Sequence, residues 1–110
     1  MKYLNFERDF IEMIVEGRKR STIRLGRKEF FPGEVVEITA DGEHIGYAEI
    51  ESVEVRRWSE FTEEDAVLDG FESLEALRDA LERFYGPFGD DEEFTRITFR
   101  LLFLDSEPPS

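Results

Sequence analysis

The chain opens on a two-residue alternation and then changes period. In KYLNF, Tyr3 and Asn5 alternate with Leu4 and Phe6, a short strand pattern. Phe10, Ile11, Ile14 and Val15 then define one face of a helix. That helix is predicted to be capped by Asn5 and to run to Glu16, with Gly17 as its left-handed exit. STIRL reads as a strand, with Thr22 and Arg24 on one face and Ile23 and Leu25 on the other. FFPGEVVEITADGEHIGYAEIESVEV predicts strand, turn and strand, the turn falling at ADGE. Thr62 caps a helix beginning in TEED, and Gly70 interrupts it. Ser73 caps a second helix with Leu74, Leu77, Leu81 and Phe84 as its apolar stripe and Gly86 as its stop. An acidic loop, GDDEEF, precedes a last strand, TRITFRLLFL, with Ile97, Phe99, Leu101 and Phe103 on one face. Residues 105–110, ending in SEPPS, read as a loose tail.

The order is strand, helix, strand, hairpin, two helices, strand. Helices alternate with strands too rarely for a doubly wound parallel sheet. The pattern fits an α+β fold: a small, mostly antiparallel β-barrel with two or three flanking helices. One domain, residues 1–104, accounts for the length.

Composition narrows the chemistry. The 110 residues include no cysteine and one histidine, His44. Disulfides, thiol catalysis, Cys-ligated zinc and a two-His metal motif are excluded. Neither a metal nor a cofactor is called for, and the acids Asp90–Glu93 read as a solvated loop. No apolar run approaches the ~20 residues that span a bilayer, and no leader segment is visible. The expectation is a cytoplasmic monomer without membrane contact. A charged fraction of 37%, with one Asn and no Gln, points to a thermophile.

Charge changes the picture most. The chain carries 14 Lys and Arg against 27 Asp and Glu, for a net charge of −13. Yet Arg18, Lys19, Arg20, Arg24, Arg27 and Lys28 fall within eleven residues that hold no acid. These bases stand on a helix exit and a strand, so ordered backbone holds them in place. Acids farther away than the Debye length of about 8 Å are largely screened. A compact anionic ligand, such as one or two nucleotides, is therefore compatible with the acidic remainder, whereas a long duplex is not. Trp58, Tyr85 and Phe88 are the candidates for stacking on a base. An acidic protein partner is an alternative that would use Phe30 and Phe31, for which burial under the hairpin is the plainer expectation.

Four stretches together carry a family resemblance: GRKRSTIR after a helix, FPGEVVEI, FTEEDAVLDGFESLEAL and RITFRLLF. In this order and spacing the chain, from about Tyr3 to Phe103, resembles the ASCH family. The resemblance implies a PUA-like barrel and RNA or a modified nucleoside as the partner. A branch of small bacterial members are amidohydrolases that deacetylate N(4)-acetylcytidine with a Lys, a Thr and a Glu. Matched by motif, these positions fall on Lys19, Thr22 and Asp69, the last an Asp in place of the Glu. Arg24 matches the motif's final Arg.

The leading expectation is thus a module that binds a nucleotide or single-stranded RNA in a basic cleft. Arg18, Arg20, Arg24, Arg27, Lys28, Trp58 and Tyr85 would contact the ligand. The alternative is an amidohydrolase with Thr22 as nucleophile, Lys19 as base, Asp69 either shuttling the proton or orienting the leaving amine, and Arg24 stabilising the oxyanion. It requires a lysine brought from ~10.4 toward ~7, roughly 4.6 kcal/mol of differential destabilisation. The two readings part on geometry. The enzyme needs a buried lysine and a closed pocket for one base, whereas the binding module needs an ordinary lysine and an open groove.

Overall fold

The computed structural model describes residues 1–105, so SEPPS lies outside the described residues. Five strands form one sheet: β1 (Tyr3–Phe6), β2 (Ser21–Leu25), β3 (Val35–Ala40), β4 (Glu43–Arg57) and β5 (Glu93–Leu104). Their order is β1-β3-β4-β5-β2. β1 runs parallel to β3, and the other three pairings are antiparallel. Three helices flank the sheet: α1 (Ile11–Val15), α2 (Glu63–Leu68) and α3 (Leu74–Tyr85). The α+β, mostly antiparallel plan follows the predicted order. The sheet curls as a half-barrel in which β1 and β2 are the two edges.

Local chemistry sets most boundaries. Asp41 and Gly42 both have positive φ, 49° and 86°, between the paired Ala40 and Glu43. This is the backbone a two-residue hairpin turn requires. The Thr62 side chain accepts from the Asp65 backbone N–H, and Ser73 accepts from that of Ala76, so both predicted caps are present. Gly86 ends α3 at a φ of 85°.

Two expectations change. The first helix is shorter than its periodicity implies. A 3₁₀ turn at Arg8–Phe10 leads into a five-residue α1, and Val15 is exposed. Asn5 does not cap it. Asn5 sits in β1, and its Oδ1 accepts from the Thr39 hydroxyl and the Gly42 backbone N–H. The β3–β4 turn thus takes up the side chain that a cap would need. The second change is at the end of β5. Ile97 and Phe99 are buried, but Phe103 is 53% exposed. Register shifts at Tyr47/Ala48 and Ile50/Ser52 break the two-residue period along the β4–β5 ladder.

The core has two parts. Leu4, Phe6, Ile14, Val36, Ile38, Ile50, Ile97 and Phe99 belong to one. Ile23, Trp58, Phe61, Ala66, Leu77, Leu81 and Phe94 form the other. β5 feeds both, Ile97 and Phe99 on one face and Phe94 on the other. Each fully buried large apolar side chain contributes roughly 1.5–3 kcal/mol. Phe30 packs against the first part, but Phe31 stays exposed, contrary to the expectation for the pair.

Candidate functional site

The site begins where α1 ends. Gly17 adopts a φ of 79°, and the backbone N–H groups of Arg18 and Lys19 both donate to the Met13 carbonyl. This turn leaves Arg18 in solvent and sends Lys19 inward. The Arg20 N–H then donates to the Leu68 carbonyl at 2.9 Å, tying the start of β2 to the end of α2. Asp69 is the C-cap residue of α2. One hydrogen bond therefore brings Lys19 and Asp69 together from positions 50 apart in sequence.

Gly70 makes the approach possible. Its φ is 92°, and a Cβ there would lie 2.5 Å from Met13 Cε and 3.2 Å from Lys19 Cβ. Lys19 Nζ donates to the Asp69 main-chain oxygen at 2.9 Å and lies 3.2 Å from Asp69 Oδ2. The Ser21 hydroxyl donates to Asp69 Oδ1 at 2.8 Å. Three rings surround the ammonium, with centroids at 4.9 Å for Phe10, 5.6 Å for Phe71 and 5.9 Å for Phe6.

Both members of the pair are buried, and burial acts on each against its charge. It pushes the Lys19 ammonium below its ordinary value, while the Asp69 carboxylate pulls the other way and Arg24 adds to the lowering. It pushes the Asp69 carboxyl up, against Lys19 and the Ser21 hydrogen bond. Moving a proton from Lys19 to Asp69 converts two buried charges into two neutral groups. Desolvation thus favours the neutral form of each partner, while their mutual attraction favours the charged pair.

Thr22 and Arg24 complete the inner wall. Arg24 Nε donates to Thr22 Oγ1 at 2.7 Å, and Nη2 donates to the Asn5 carbonyl at 2.9 Å. That second bond bridges the two sheet edges, β1 and β2, across the open seam of the half-barrel. Burial lowers the Arg24 pKa, and Tyr85 and Asp69 oppose that. Lys19, Thr22, Arg24 and Asp69 all line one cavity of about 200 Å³. α3 covers it with Leu77 and Leu81, and Phe84 and Tyr85 stand at its exposed end. Phe84 was expected in the apolar stripe. It is 47% exposed because it serves the cavity wall instead.

The structure gathers only part of the basic stretch. Lys19 and Arg24 enter the cavity, and Tyr85 joins them. Arg18 pairs with Glu16 at 2.6 Å, and Arg27 pairs with Glu93 at 3.1 Å. Arg18 and Arg20 line a separate shallow groove opposite Glu63, Glu64 and Glu72. The Lys28 side chain is exposed, and its backbone N–H donates to Thr95 Oγ1. Trp58 is 6% exposed, stacked on Phe61 and edge-on to Phe88 and Phe94. It is a core residue and does not line the cavity, and Phe88 packs beside it. Ser21, Asn5 and the three rings around Lys19 were not foreseen. The Ser21 hydroxyl reaches Asp69 only because the end of α2 is tied to the start of β2.

The ASCH domain family model matches residues 2–102, and the chain belongs to that family. Solved structures share the fold. The ASCH domain from Lactobacillus crispatus JV V101 is similar with a TM-score of 0.76 and 20% identity, over 91% of this chain and 79% of that one. The hypothetical protein PH0355 is similar with a TM-score of 0.70 and 20% identity, over 93% of this chain and 100% of that one. A variant of ZmASCH from Zymomonas mobilis is similar with a TM-score of 0.62 and 20% identity, over 93% and 72%. No curated protein matches the chain. No helix among the described residues is long and apolar enough to cross a membrane.

Proposed function

We propose that the chain is an amidohydrolase that acts on an acylated nucleoside of the N(4)-acetylcytidine type. The observation that carries this reading is the convergence of a buried lysine, a buried threonine and a buried aspartate on one small cavity. A volume of about 200 Å³ is below the roughly 300–1,000 Å³ of sites for drug-sized ligands. It accommodates one base-sized ring rather than a strand. The sequence alone favoured an open, basic binding cleft. The burial of Lys19 and the outward turn of Arg18 and Arg27 favour the enzyme.

Asp69 takes a proton from Lys19 and leaves a neutral amine. Thr22 Oγ1 attacks the acyl carbon, and its proton passes to the Lys19 amine. The C–O bond forms as the carbonyl π pair moves onto oxygen, where the Arg24 guanidinium stabilises it. Collapse breaks the C–N bond, and the Lys19 ammonium returns the proton to the leaving amine. Water then attacks the acyl–Thr22 carbonyl as the Lys19 amine takes its proton; the acyl C–Oγ1 bond breaks, the proton passes to Thr22 Oγ1, and acetic acid leaves. The shorter Asp69 in place of Glu is served by the close seating of Gly70 against Lys19. A single-turnover mixture of excess protein with N(4)-acetylcytidine, followed by chromatography, tests this. Cytidine must appear with the wild-type chain and be absent with Thr22→Ala.

A second reading, binding of a nucleotide or single-stranded RNA element, has one observation in its favour. Phe84 and Tyr85 are exposed at the mouth, where an unpaired base can stack. The family is commonly proposed to bind RNA. This reading predicts saturable binding of an RNA oligonucleotide and no cytidine.

A further inference from the structure

The mouth of the cavity carries a charge that the hydrolase step does not use. Glu7 follows β1 and lines the cavity together with Asn5. Its Oε1 lies 3.1 Å from Arg83 Nη2 on α3. The pair therefore spans the mouth, from the end of β1 to the last turn of α3. Arg83 also lies over the Phe84 ring, 5.0 Å from its centroid. One carboxylate oxygen is thus fixed by Arg83, and the second, Oε2, is left for a ligand.

The cations of the lining are already engaged. Lys19 is held by Asp69, and Arg24 by Thr22 and the Asn5 carbonyl. A phosphate at the mouth would stand beside the half-exposed Glu7 carboxylate, whose neighbour Arg83 is already paired with it. A neutral sugar would meet a carboxylate that accepts from hydroxyl groups, the same chemistry by which acidic residues hold ribose hydroxyls in dinucleotide sites. We infer that Glu7 is a specificity-determining residue that receives the sugar hydroxyls of an unphosphorylated nucleoside and turns away its 5′-phosphate. This inference rests on the cavity being a nucleoside pocket, as proposed above. It makes the gathered bases of the sequence something other than a phosphate cradle at this mouth.

The test compares N(4)-acetylcytidine with its 5′-monophosphate. Affinities are measured by calorimetry on Thr22→Ala, with and without Glu7→Gln, and turnover is measured in parallel on the Thr22-containing chains. The carboxylate is half exposed, so its repulsion is nearer the aqueous than the buried limit. Removing it should reduce the preference for the nucleoside on the order of tenfold, and raising the salt should shrink the wild-type preference too. Arg83→Ala, which frees Glu7 without removing its charge, should keep or increase the preference, and circular dichroism confirms that each variant is folded. An unchanged ratio in Glu7→Gln, or a wild-type preference for the phosphate, overturns the inference. Binding without turnover removes the hydrolase reading and leaves Glu7 judged by the affinity ratio alone. If neither compound binds, the pocket assignment and the inference fall together.

Discussion

Lys19 Nζ lies 3.2 Å from Asp69 Oδ2, and the two side chains are only 4% and 5% exposed. Removing one partner of such a pair leaves a buried charge without compensation, at about 3–5 kcal/mol. Lys19→Met and Asp69→Leu should each destabilise by that order. The double variant should lose less than the sum, with a coupling of about 1–3 kcal/mol. Urea denaturation of the four chains measures it. Strict additivity would show that the pair does not act as a unit.

The close seating at Gly70 yields a second prediction. Gly70→Ala places a side chain at a φ of 92°, with its Cβ against Met13 and Lys19. The Met13 methyl can swing aside, but the backbone strain remains. The expected loss is about 1–2 kcal/mol, together with a fall in kcat on the order of 10²-fold if Lys19 moves by 1 Å. An Ala variant with wild-type stability and rate would show that the approach is not needed.

A third concerns how α2 is held. Asp65 accepts from Arg56 at 2.8 Å and from Arg96 at 2.5 Å, and it takes part in the Thr62 cap. Burial pushes its carboxyl up, but the Thr62 backbone N–H, Arg96, the Thr62 hydroxyl and Arg56 outweigh it, so the folded pKa is depressed. The stability this supplies is present above the unfolded value of about 3.9 and is lost as pH falls through the folded one. Asp65→Asn should cost about 3 kcal/mol at pH 7 and flatten the acid limb of the stability curve. Thermal melts from low pH to neutral check both.

His44 supplies the opposite sign. Hydrogen bonds to Asp105 and then Glu37 raise its pKa. Its contribution is therefore fully present below the unfolded value of about 6.5, and it is lost as pH rises through the raised folded value. The Tm of the wild-type chain should fall across that window relative to His44→Ala, and the two curves should run parallel above it. Parallel curves throughout would mean that the carboxylates do not hold the ring.

Much of this was legible in the residues. The caps at Thr62 and Ser73, the Asp41–Gly42 turn and the exit at Gly17 are local chemistry, and each stands where the sequence puts it. Thr22 and Arg24 share a face by period two, and their side chains are hydrogen-bonded. What the sequence hides is tertiary. Asn5 looks like a cap until β3 and its turn supply donors for it. Trp58 looks like a stacking platform until Phe61, Phe88 and Phe94 enclose it. Clustered bases look like one patch, but Glu93 approaches Arg27 from β5, and Arg18 turns back onto its near neighbour Glu16. No local pattern reveals that Ser21 reaches Asp69, because that contact depends on where α2 ends.

The most direct measurement is the pH dependence of kcat/KM for N(4)-acetylcytidine, beside Lys19→Ala and Thr22→Ala. The account predicts a rate that rises with pH through a Lys19 pKa held below its ordinary value by burial, and loss of turnover in both variants. Turnover that persists in Lys19→Ala with the same profile, or no conversion by the wild-type chain at any pH, would contradict it.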